Sequence, residues 1–209
     1  MHGARWAEAA QEGAAEVQVR PLEIPEVRVM TLARHEDARG FFSETYSQRA
    51  LAAVGIADSF VQDNHSMSRQ RGTVRGLHFQ IPPATQTKLI RVLRGAIFDV
   101  AVDLRHGSPT FGRHASCVLT ATGWQQLYVP EGFAHGFCSL EERTEVLYKC
   151  SAHYAPESER GLRWDDPALG IDWPVTSERA VVSERDRAHP CLAELPAFFT
   201  CADPSGGER

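Results

Sequence analysis

Between residues 60 and 151 the chain passes through eight short stretches of strand-like composition, each closed by turn-forming residues. The separators include Arg94-Gly95, Pro130-Glu131-Gly132 and the pair Glu141-Glu142. No helix-length pattern interrupts these stretches, which argues against the crossover helices that parallel sheets require. The pattern therefore predicts an all-β domain, an antiparallel sandwich or barrel of the jelly-roll kind with a few short peripheral helices.

The predicted elements follow one another closely along the chain. Strands are predicted at 27–32, 41–46, 60–66, 73–80, 88–93, 96–104, 114–120, 125–129, 135–140 and 144–151, with a helix at 48–54 and a short helix or packing strap at 192–199. Residues 1–20 contain no apolar stripe and are interpreted as a flexible extension, and residues 201–209 as a loose tail. A single domain over residues 21–200 is expected between them.

The composition excludes several classes of protein. The 209-residue chain has a net charge of -5, which argues against nucleic acid as a partner because duplex binding needs a broad basic face. It contains no membrane-length apolar stretch and no signal-peptide pattern near its N-terminus. Its five cysteines form no C-x-x-C motif and are interpreted as reduced thiols. We therefore expect a cytoplasmic protein that binds neither membranes nor nucleic acid.

One segment concentrates positive charge. Residues 64–98 contain no Asp or Glu but hold six cations, which predicts a bound anion such as a small phosphorylated ligand. His78 lies within this segment, where cations and apolar neighbours favour its neutral, proton-accepting form, although a hydrogen-bonded structural histidine is the alternative. A bulge at Gly76 would place Arg75 and His78 on one face, unless the glycine only permits close strand packing. Lys88 opens the next strand and would lie near His78 across a hairpin, or at a solvated strand end.

Jelly-roll barrels often contain a metal site, and part of the sequence resembles one. Gly123, Pro130, Gly132 and His135 have a spacing similar to the second signature of the cupin superfamily. The metal ligands of cupins come mostly from an earlier H-x-H motif and a downstream Glu, whereas this chain has His78-Phe79-Gln80 there. The donor set is incomplete for Fe or Zn, so we predict no catalytic metal and no cofactor. The pattern leaves open whether His135 binds a ligand or is structural.

Several separated motifs together resemble one enzyme family. They are Arg75-Gly-Leu-His78-Phe-Gln80, Gly107-Ser-Pro-Thr-Phe-Gly112, Pro130-Glu-Gly-Phe-Ala-His135-Gly-Phe137, Tyr148-Lys-Cys150, Tyr154-Ala-Pro-Glu157, Trp164-Asp-Asp-Pro167 and Asp172-Trp-Pro174. In order and spacing they resemble the dTDP-4-dehydrorhamnose 3,5-epimerases, members of the cupin superfamily, from about residue 25 to residue 196. The resemblance implies a metal-independent isomerase that acts on a dTDP-4-keto-6-deoxyhexose in deoxysugar biosynthesis.

The resemblance also implies catalytic roles. A ketone at C4 acidifies the hydrogens on C3 and C5, so inversion needs a base, an acid on the opposite face and a group for the enolate oxygen. His78 matches the family's base and Asp186 the carboxylate that orients it. Lys88 matches the cation beside the enolate oxygen. Tyr148 matches the acid.

The implied binding residues and the assembly complete the expected site. Arg39 and Arg75 match the residues that clamp the diphosphate, and Phe42 and Tyr154 match the rings that stack on thymine. The polar contacts to the base and nearby groups are matched by Glu44, Gln62 and Asn64. His135 matches a second histidine near the sugar. In this family the strand equivalent to 39–44 is lent by a neighbouring subunit, which implies a homodimer with shared sites. The alternatives are a 3- or 5-specific epimerase, a ketoisomerase of the same barrel, a non-catalytic nucleotide-sugar-binding cupin and a metal-dependent cupin oxygenase.

Overall fold

A computed structural model describes residues 17–201 of the chain. Most of the predicted extension and the tail, residues 1–16 and 202–209, lie outside the described residues. Within the described part, strands and short helices are, in chain order, β1 Gln18–Pro21, β2 Arg28–Thr31, β3 His35–Asp37, β4 Gly40–Phe42, α1 Gln48–Ala53, β5 Gln62–Ser68, β6 Val74–Gln80, β7 Lys88–Arg94, β8 Ala96–Asp103, β9 Arg105–His106, β10 His114–Thr120, β11 Gln125–Val129, β12 Phe133–Ser139, β13 Thr144–Cys150, β14 Glu159–Gly161, α2 Glu184–Arg187 and β15 Phe199–Thr200. Two 3-10 turns, Pro167–Leu169 and Leu192–Glu194, lie in the C-terminal part.

The strands form two antiparallel sheets that face each other. The first has the order β1-β2-β11-β7-β13-β5 and the second the order β10-β8-β12-β6-β14. Side chains of both sheets meet in one apolar cluster that includes Ile90, Ile97, Leu127 and Val146. The prediction of an all-β jelly-roll architecture is confirmed, because alternating apolar positions on both sheets supply a shared interior.

The eight strands predicted between residues 60 and 151 agree with β5–β8 and β10–β13 to within two residues at each end. The predicted helix is α1, which begins after Ser47, whose hydroxyl accepts the Ala50 N–H. The predicted strand at 41–46 is shorter, because only Gly40–Phe42 pairs with β3. Residues 18–20, assigned above to the extension, belong to β1 and pair with β2, and Val19 packs against the cluster around Met30.

The C-terminal part covers the outer face of the five-stranded sheet. Leu162 and Leu169 pack there against Leu77 and Phe79 of β6. One face of β7 and of β13 points into the barrel and carries mostly apolar side chains, which are replaced by polar ones at the Lys88 end of β7. The polar side chains of the barrel interior therefore lie at this end.

A bulge interrupts β6 at Gly76. The pairing of β12 with β6 runs from His135 with His78 to Phe137 with Arg75, so β6 has one residue more than β12 in this interval. Gly76 has φ +118, and a Cβ there would lie 2.7 Å from both the Cα of Gly136 and the His135 carbonyl oxygen. Only glycine fits this close approach, and the extra residue puts Arg75 and His78 on the same inner face.

Among the described residues there is no helix whose length and hydropathy would let it cross a membrane.

Candidate active site

An open cleft of about 220 Å³ lies between the two sheets at the polar end of the barrel. Six of the twelve predicted site residues line it: Gln62, Asn64, His78, Lys88, Tyr148 and Tyr154. They come from β5, β6, β7, β13 and the loop before β14, so chain segments far apart in sequence meet here.

His78 and Asp186 form a hydrogen-bonded pair at one wall of the cleft. His78 Nε2 lies 2.9 Å from Asp186 Oδ1, and the Gly76 N–H donates to Asp186 Oδ2 over 3.1 Å. Burial raises the pKa of Asp186, but the hydrogen bond and charge of His78 and the bonds from Gly76 and Ser183 together hold that pKa below its usual value. The carboxylate therefore only accepts, so a neutral His78 carries its proton on Nε2 and keeps the Nδ1 lone pair.

Lys88 lies on the facing sheet beside this pair. Its ammonium donates to the main-chain oxygen of His78 over 3.2 Å, and only 8% of the residue is exposed. Burial lowers the pKa of Lys88, while the acidic groups Cys150, Glu159 and Asp99 act in the opposite direction. In its protonated form this weakly solvated amine would strongly stabilise an oxygen that gains negative charge in the cleft.

Tyr148 belongs to β13, next to β7 and across the cleft from β6. Burial raises the pKa of Tyr148, followed by the effect of Cys150, so its phenol keeps the proton at neutral pH. The cleft therefore has an acceptor imidazole on one sheet and a protonated phenol on the other.

Gln80, which stands where a cupin ligand would be, has a structural task. Its amide donates to the carbonyl oxygens of Ala84 (2.6 Å) and His153 (3.2 Å) and accepts the Ala155 N–H (2.8 Å). These bonds hold the loop that carries Tyr154. The side-chain oxygen and nitrogen are both engaged in the fold, which explains why an uncharged amide occupies this buried position.

Arg75 and His135, also predicted site residues, are not among the residues that line the cleft. The Arg75 guanidinium donates to Ser68 Oγ (3.2 Å) and the Met67 carbonyl oxygen (3.1 Å) on β5. His135 is 6% exposed, and its Nε2 lies 2.6 Å from Asp99 Oδ1. This buried pair gives His135 a firm structural partner.

The structure does not bring Arg39, Phe42 or Glu44 into the cleft of this chain. The hairpin β3–β4 pairs only with itself among the described strands, and Arg39 is held by hydrogen bonds to Asp37. Phe42 is 63% exposed, and its neighbour Phe41 contacts Trp124 in the turn before β11. Trp124 precedes Gln126, which pairs with Arg91, whereas the cleft lies at the Lys88 end of β7.

Several residues in or beside the cleft were not predicted. Glu159 lines it, accepts the Tyr154 hydroxyl (2.6 Å) and pairs with Arg185. Asp99, an acid within the apolar run of β8, could have been suspected from its composition. His189 lies three residues after Asp186, beyond the end of α2, and its Nε2 is 3.7 Å from Asp186 Oδ1.

Metal-ligand geometry occurs once among the described residues, where His78, Asp186 and His189 offer ligand atoms that all lie within 4.8 Å of one another. Of the two residues at the cupin ligand positions, His78 belongs to this group and Gln80 does not. The group lies at the edge of the cleft, since His78 lines the cleft but Asp186 and His189 do not.

Comparison with known proteins shows which family the chain resembles. Residues 21–194 match the family model described as dTDP-4-dehydrorhamnose 3,5-epimerase. The epimerase of that name from Sinorhizobium fredii is 49% identical over 188 residues, covering 88% of this chain and 94% of the relative.

Solved structures give the same result. The dTDP-6-deoxy-D-glucose-3,5-epimerase of Legionella pneumophila, in complex with dTDP-4-keto-L-rhamnose, superposes with a TM-score of 0.84 at 39% identity and covers 90% of this chain and 100% of that one. A 3'-monoepimerase from Streptomyces bikiniensis in complex with dTDP-quinovose has a TM-score of 0.75 at 36% identity, covering 83% and 87%. The chain therefore belongs to the dTDP-4-dehydrorhamnose 3,5-epimerase family of isomerases.

Proposed function

We propose that this protein inverts C3 and C5 of a dTDP-4-keto-6-deoxyhexose through an enolate, without a metal. The observation that carries the proposal is the placement of His78 and Tyr148, which line one cleft from opposite sheets. Inversion at carbon requires removal of a proton from one face and delivery from the other. A base and an acid on facing walls meet this requirement.

The reaction balances with these residues alone. His78 takes the proton from the carbon beside the ketone, and the bonding electron pair moves to the C4 oxygen. Lys88 stabilises this oxygen, and Asp186 stabilises the imidazolium that forms. Tyr148 then gives its proton to the opposite face of the same carbon as the C4 carbonyl re-forms, and solvent restores both groups. The same sequence at the second carbon completes the double epimerisation.

Binding of the nucleotide part follows from the rest of the cleft. We assign Arg75, which donates to Ser68 of β5, to the diphosphate, whose oxygens suit a planar guanidinium. Gln62 and Asn64 line the same cleft, and Tyr154 stands over it on the loop fixed by Gln80. We assign Tyr154 to stacking on thymine and the two amides to polar contacts with the base and its neighbouring groups. His135 is assigned to the sugar end through its pairing with His78.

We further propose that the working unit is a homodimer in which the β3–β4 hairpin completes the partner's site. The support is that Arg39, Phe42 and Glu44 stand away from the cleft of their own chain, while Phe41 and Phe42 are 59% and 63% exposed. Exposed aromatic side chains on a hairpin favour burial against another surface. Mixing Arg39→Ala and His78→Ala chains tests this, since random heterodimers would regain about one quarter of wild-type activity from one intact site each. No regain of activity would contradict the shared site.

Solvent exchange tests the reaction itself. The protein is incubated with dTDP-4-keto-6-deoxyglucose in D2O, and deuterium at C3 and C5 is counted by NMR. Two deuterons are expected for double epimerisation. His78→Ala should abolish exchange but retain dTDP binding, whereas His65→Gln, on an exposed histidine of β5 outside the cleft, should behave as wild type. Unchanged exchange in His78→Ala would remove His78 as the base, and wild-type protein that binds dTDP but exchanges nothing would favour a non-catalytic binding protein.

A single-centre epimerase is the second candidate. The similarity to the Streptomyces bikiniensis 3'-monoepimerase favours it, because that protein shares the same fold. The same experiment decides between the two, since one deuteron at C3 alone would identify a 3-epimerase. A carbonyl that moves along the ring would instead identify a ketoisomerase.

We also propose a cytoplasmic location. The support is that all five cysteines are unpaired thiols, as is usual in a reducing compartment.

A further inference from the structure

The cluster of His78, Asp186 and His189 contains a nitrogen that the catalytic proposal does not use. His189 lies 3.7 Å from Asp186 Oδ1 through its Nε2, and its ring meets the His78 ring edge to face at 5.7 Å between centroids. The Nε2 atom is buried and has no hydrogen-bond partner among the described residues. A buried imidazole nitrogen without a partner is unusual, because burial of an unsatisfied polar atom costs free energy.

His189 is also held firmly in this orientation. Its ring lies against Gly161 of β14, where a Cβ would come within 2.1 Å of Nε2. Because Gly161 has no side chain, there is space for the His189 ring at this position. Its side chain is 12% exposed, so the ring is fixed beside Asp186 rather than extended into solvent.

Two of the three distances between the donor atoms are close to those that a small divalent ion needs. Zinc binds imidazole nitrogen and carboxylate oxygen at about 2.0–2.2 Å, which places tetrahedral ligands roughly 3.3 Å apart. The two distances to Asp186 Oδ1, 2.9 Å from His78 and 3.7 Å from His189, lie on either side of this value. Asp186 is further oriented by the Gly76 N–H, the kind of outer contact that tunes metal ligands.

We propose that His78, Asp186 and His189 form an inhibitory zinc site. Two imidazoles and one carboxylate are a zinc donor set, and His78, 32% exposed through its side chain, gives the ion access from the cleft, where water can supply a fourth ligand. The ion replaces the proton on His78 Nε2 and occupies the Asp186 oxygen. His78 is then a metal ligand without its carboxylate partner, so it no longer acts as an effective base.

The inhibitory part rests on the role proposed above for His78, whereas zinc binding does not. Binding is therefore measured first, by titrating metal-free protein with zinc chloride in a calorimeter. One zinc ion per protein chain is expected. His189→Asn and His189→Phe should weaken binding by about tenfold or more, since even loss of an outer partner of a ligand lowers metal affinity by about 10- to 100-fold.

Two control variants remove other donors. His65→Gln removes an exposed histidine paired with Glu145, and Cys191→Ser removes a thiol two residues beyond His189. Both should bind zinc as the wild type does. The phenylalanine variant retains the ring volume against Gly161, and circular dichroism identifies a variant that has not folded. If both His189 variants fold and bind zinc like the wild type, or if the wild type takes up no zinc, the site is refuted.

Turnover is then followed at free zinc concentrations fixed by a metal buffer, so that the substrate's diphosphate does not alter them. Wild-type turnover should fall as zinc fills the site and recover with EDTA, while both His189 variants retain activity without zinc and need about tenfold more zinc for the same loss. Zinc binding through His189 with unchanged turnover would refute the inhibitory role and count against His78 as base. Absent zinc binding together with an inactive His78→Ala would refute the zinc site alone.

Discussion

Replacing Asp186 with asparagine separates the charge of this residue from its shape. The carboxylate accepts from His78 Nε2 through one oxygen and from the Gly76 N–H through the other. An asparagine that keeps the Gly76 bond turns its NH2 towards His78, so Nε2 must accept and the proton moves to Nδ1. The lone pair proposed to take the substrate proton is then lost, and so is the charge that stabilises the imidazolium.

The magnitude follows from the step affected. General acid–base catalysis contributes about 10²- to 10⁴-fold, so Asp186→Asn should reduce kcat by about this factor, which corresponds to roughly 2.7–5.4 kcal/mol of activation free energy. Affinity for dTDP should stay within about twofold of wild type, because Asp186 does not line the cleft.

The assay compares initial rates of deuterium incorporation at C3 and C5 with dTDP affinity measured by calorimetry. Asp165→Asn is the matched control, since this carboxylate pairs with Arg163 at the surface (2.9 Å) and should leave both quantities unchanged. A loss of kcat smaller than tenfold in Asp186→Asn would refute the proposed dependence of the base on its carboxylate. An equal loss of dTDP affinity would show that the residue supports binding instead.

Three further predictions test other parts of the structure. Tyr148→Phe should reduce inversion by about 10²- to 10⁴-fold, while NMR in D2O still shows deuterium entering without inversion, because the base remains. Gly76→Ala should lower both the unfolding free energy and kcat, since its Cβ would meet backbone at 2.7 Å, whereas Gly170→Ala, with nothing within 4 Å, should cost only about 1 kcal/mol. Burial raises the pKa of Asp103, but its bonds to Arg105, Ser108 and Thr110 hold that pKa below 3.8, so the unfolded state binds more protons and stability falls as pH drops below this value. Asp103→Asn should therefore lower stability at pH 7 by about 1–3 kcal/mol and make stability less dependent on acid pH, as urea unfolding between pH 7 and pH 3 would show. The first prediction is contradicted if Tyr148→Phe has the kcat of the wild type, and the second if Gly76→Ala and Gly170→Ala are equally stable. The third is contradicted if Asp103→Asn loses stability with falling pH as the wild type does.

The main strands were predictable because their pattern is local. Alternation of apolar residues and turn chemistry between 60 and 151 are visible in the sequence, and β5–β8 and β10–β13 follow them. The short strands β3, β9, β14 and β15 have two or three residues each and contain no period to detect. The strands β9, β14 and β15 also depend on partners far away in the chain, as where Glu159–Gly161 pairs with β6. The four-residue helix Glu184–Arg187 is equally too short for a periodic signal.

The candidate site divides in a similar way. His78 and Lys88 stood out through the acid-free cationic segment, and the bulge followed from Gly76. The pairing of His78 with Asp186 joins residues 108 positions apart, so only the family resemblance suggested it. His189 was missed because its place depends on Gly161, a residue of another strand, making room for its ring. Sequence composition contains no trace of such a tertiary vacancy.

The bonds of Gln80 have a consequence for how this barrel can diversify. A histidine at this position would restore the H-x-H donor pair of metal-dependent relatives, but it would also release the loop backbone at 153–155 that the amide now fastens on both sides. Acquisition of an oxygenase-type metal centre and retention of the ordered Tyr154 loop thus compete for one side chain. Proteins that evolve from this scaffold are therefore expected to change their chemistry by substitutions around Tyr148, the proposed acid, rather than by binding a metal through position 80.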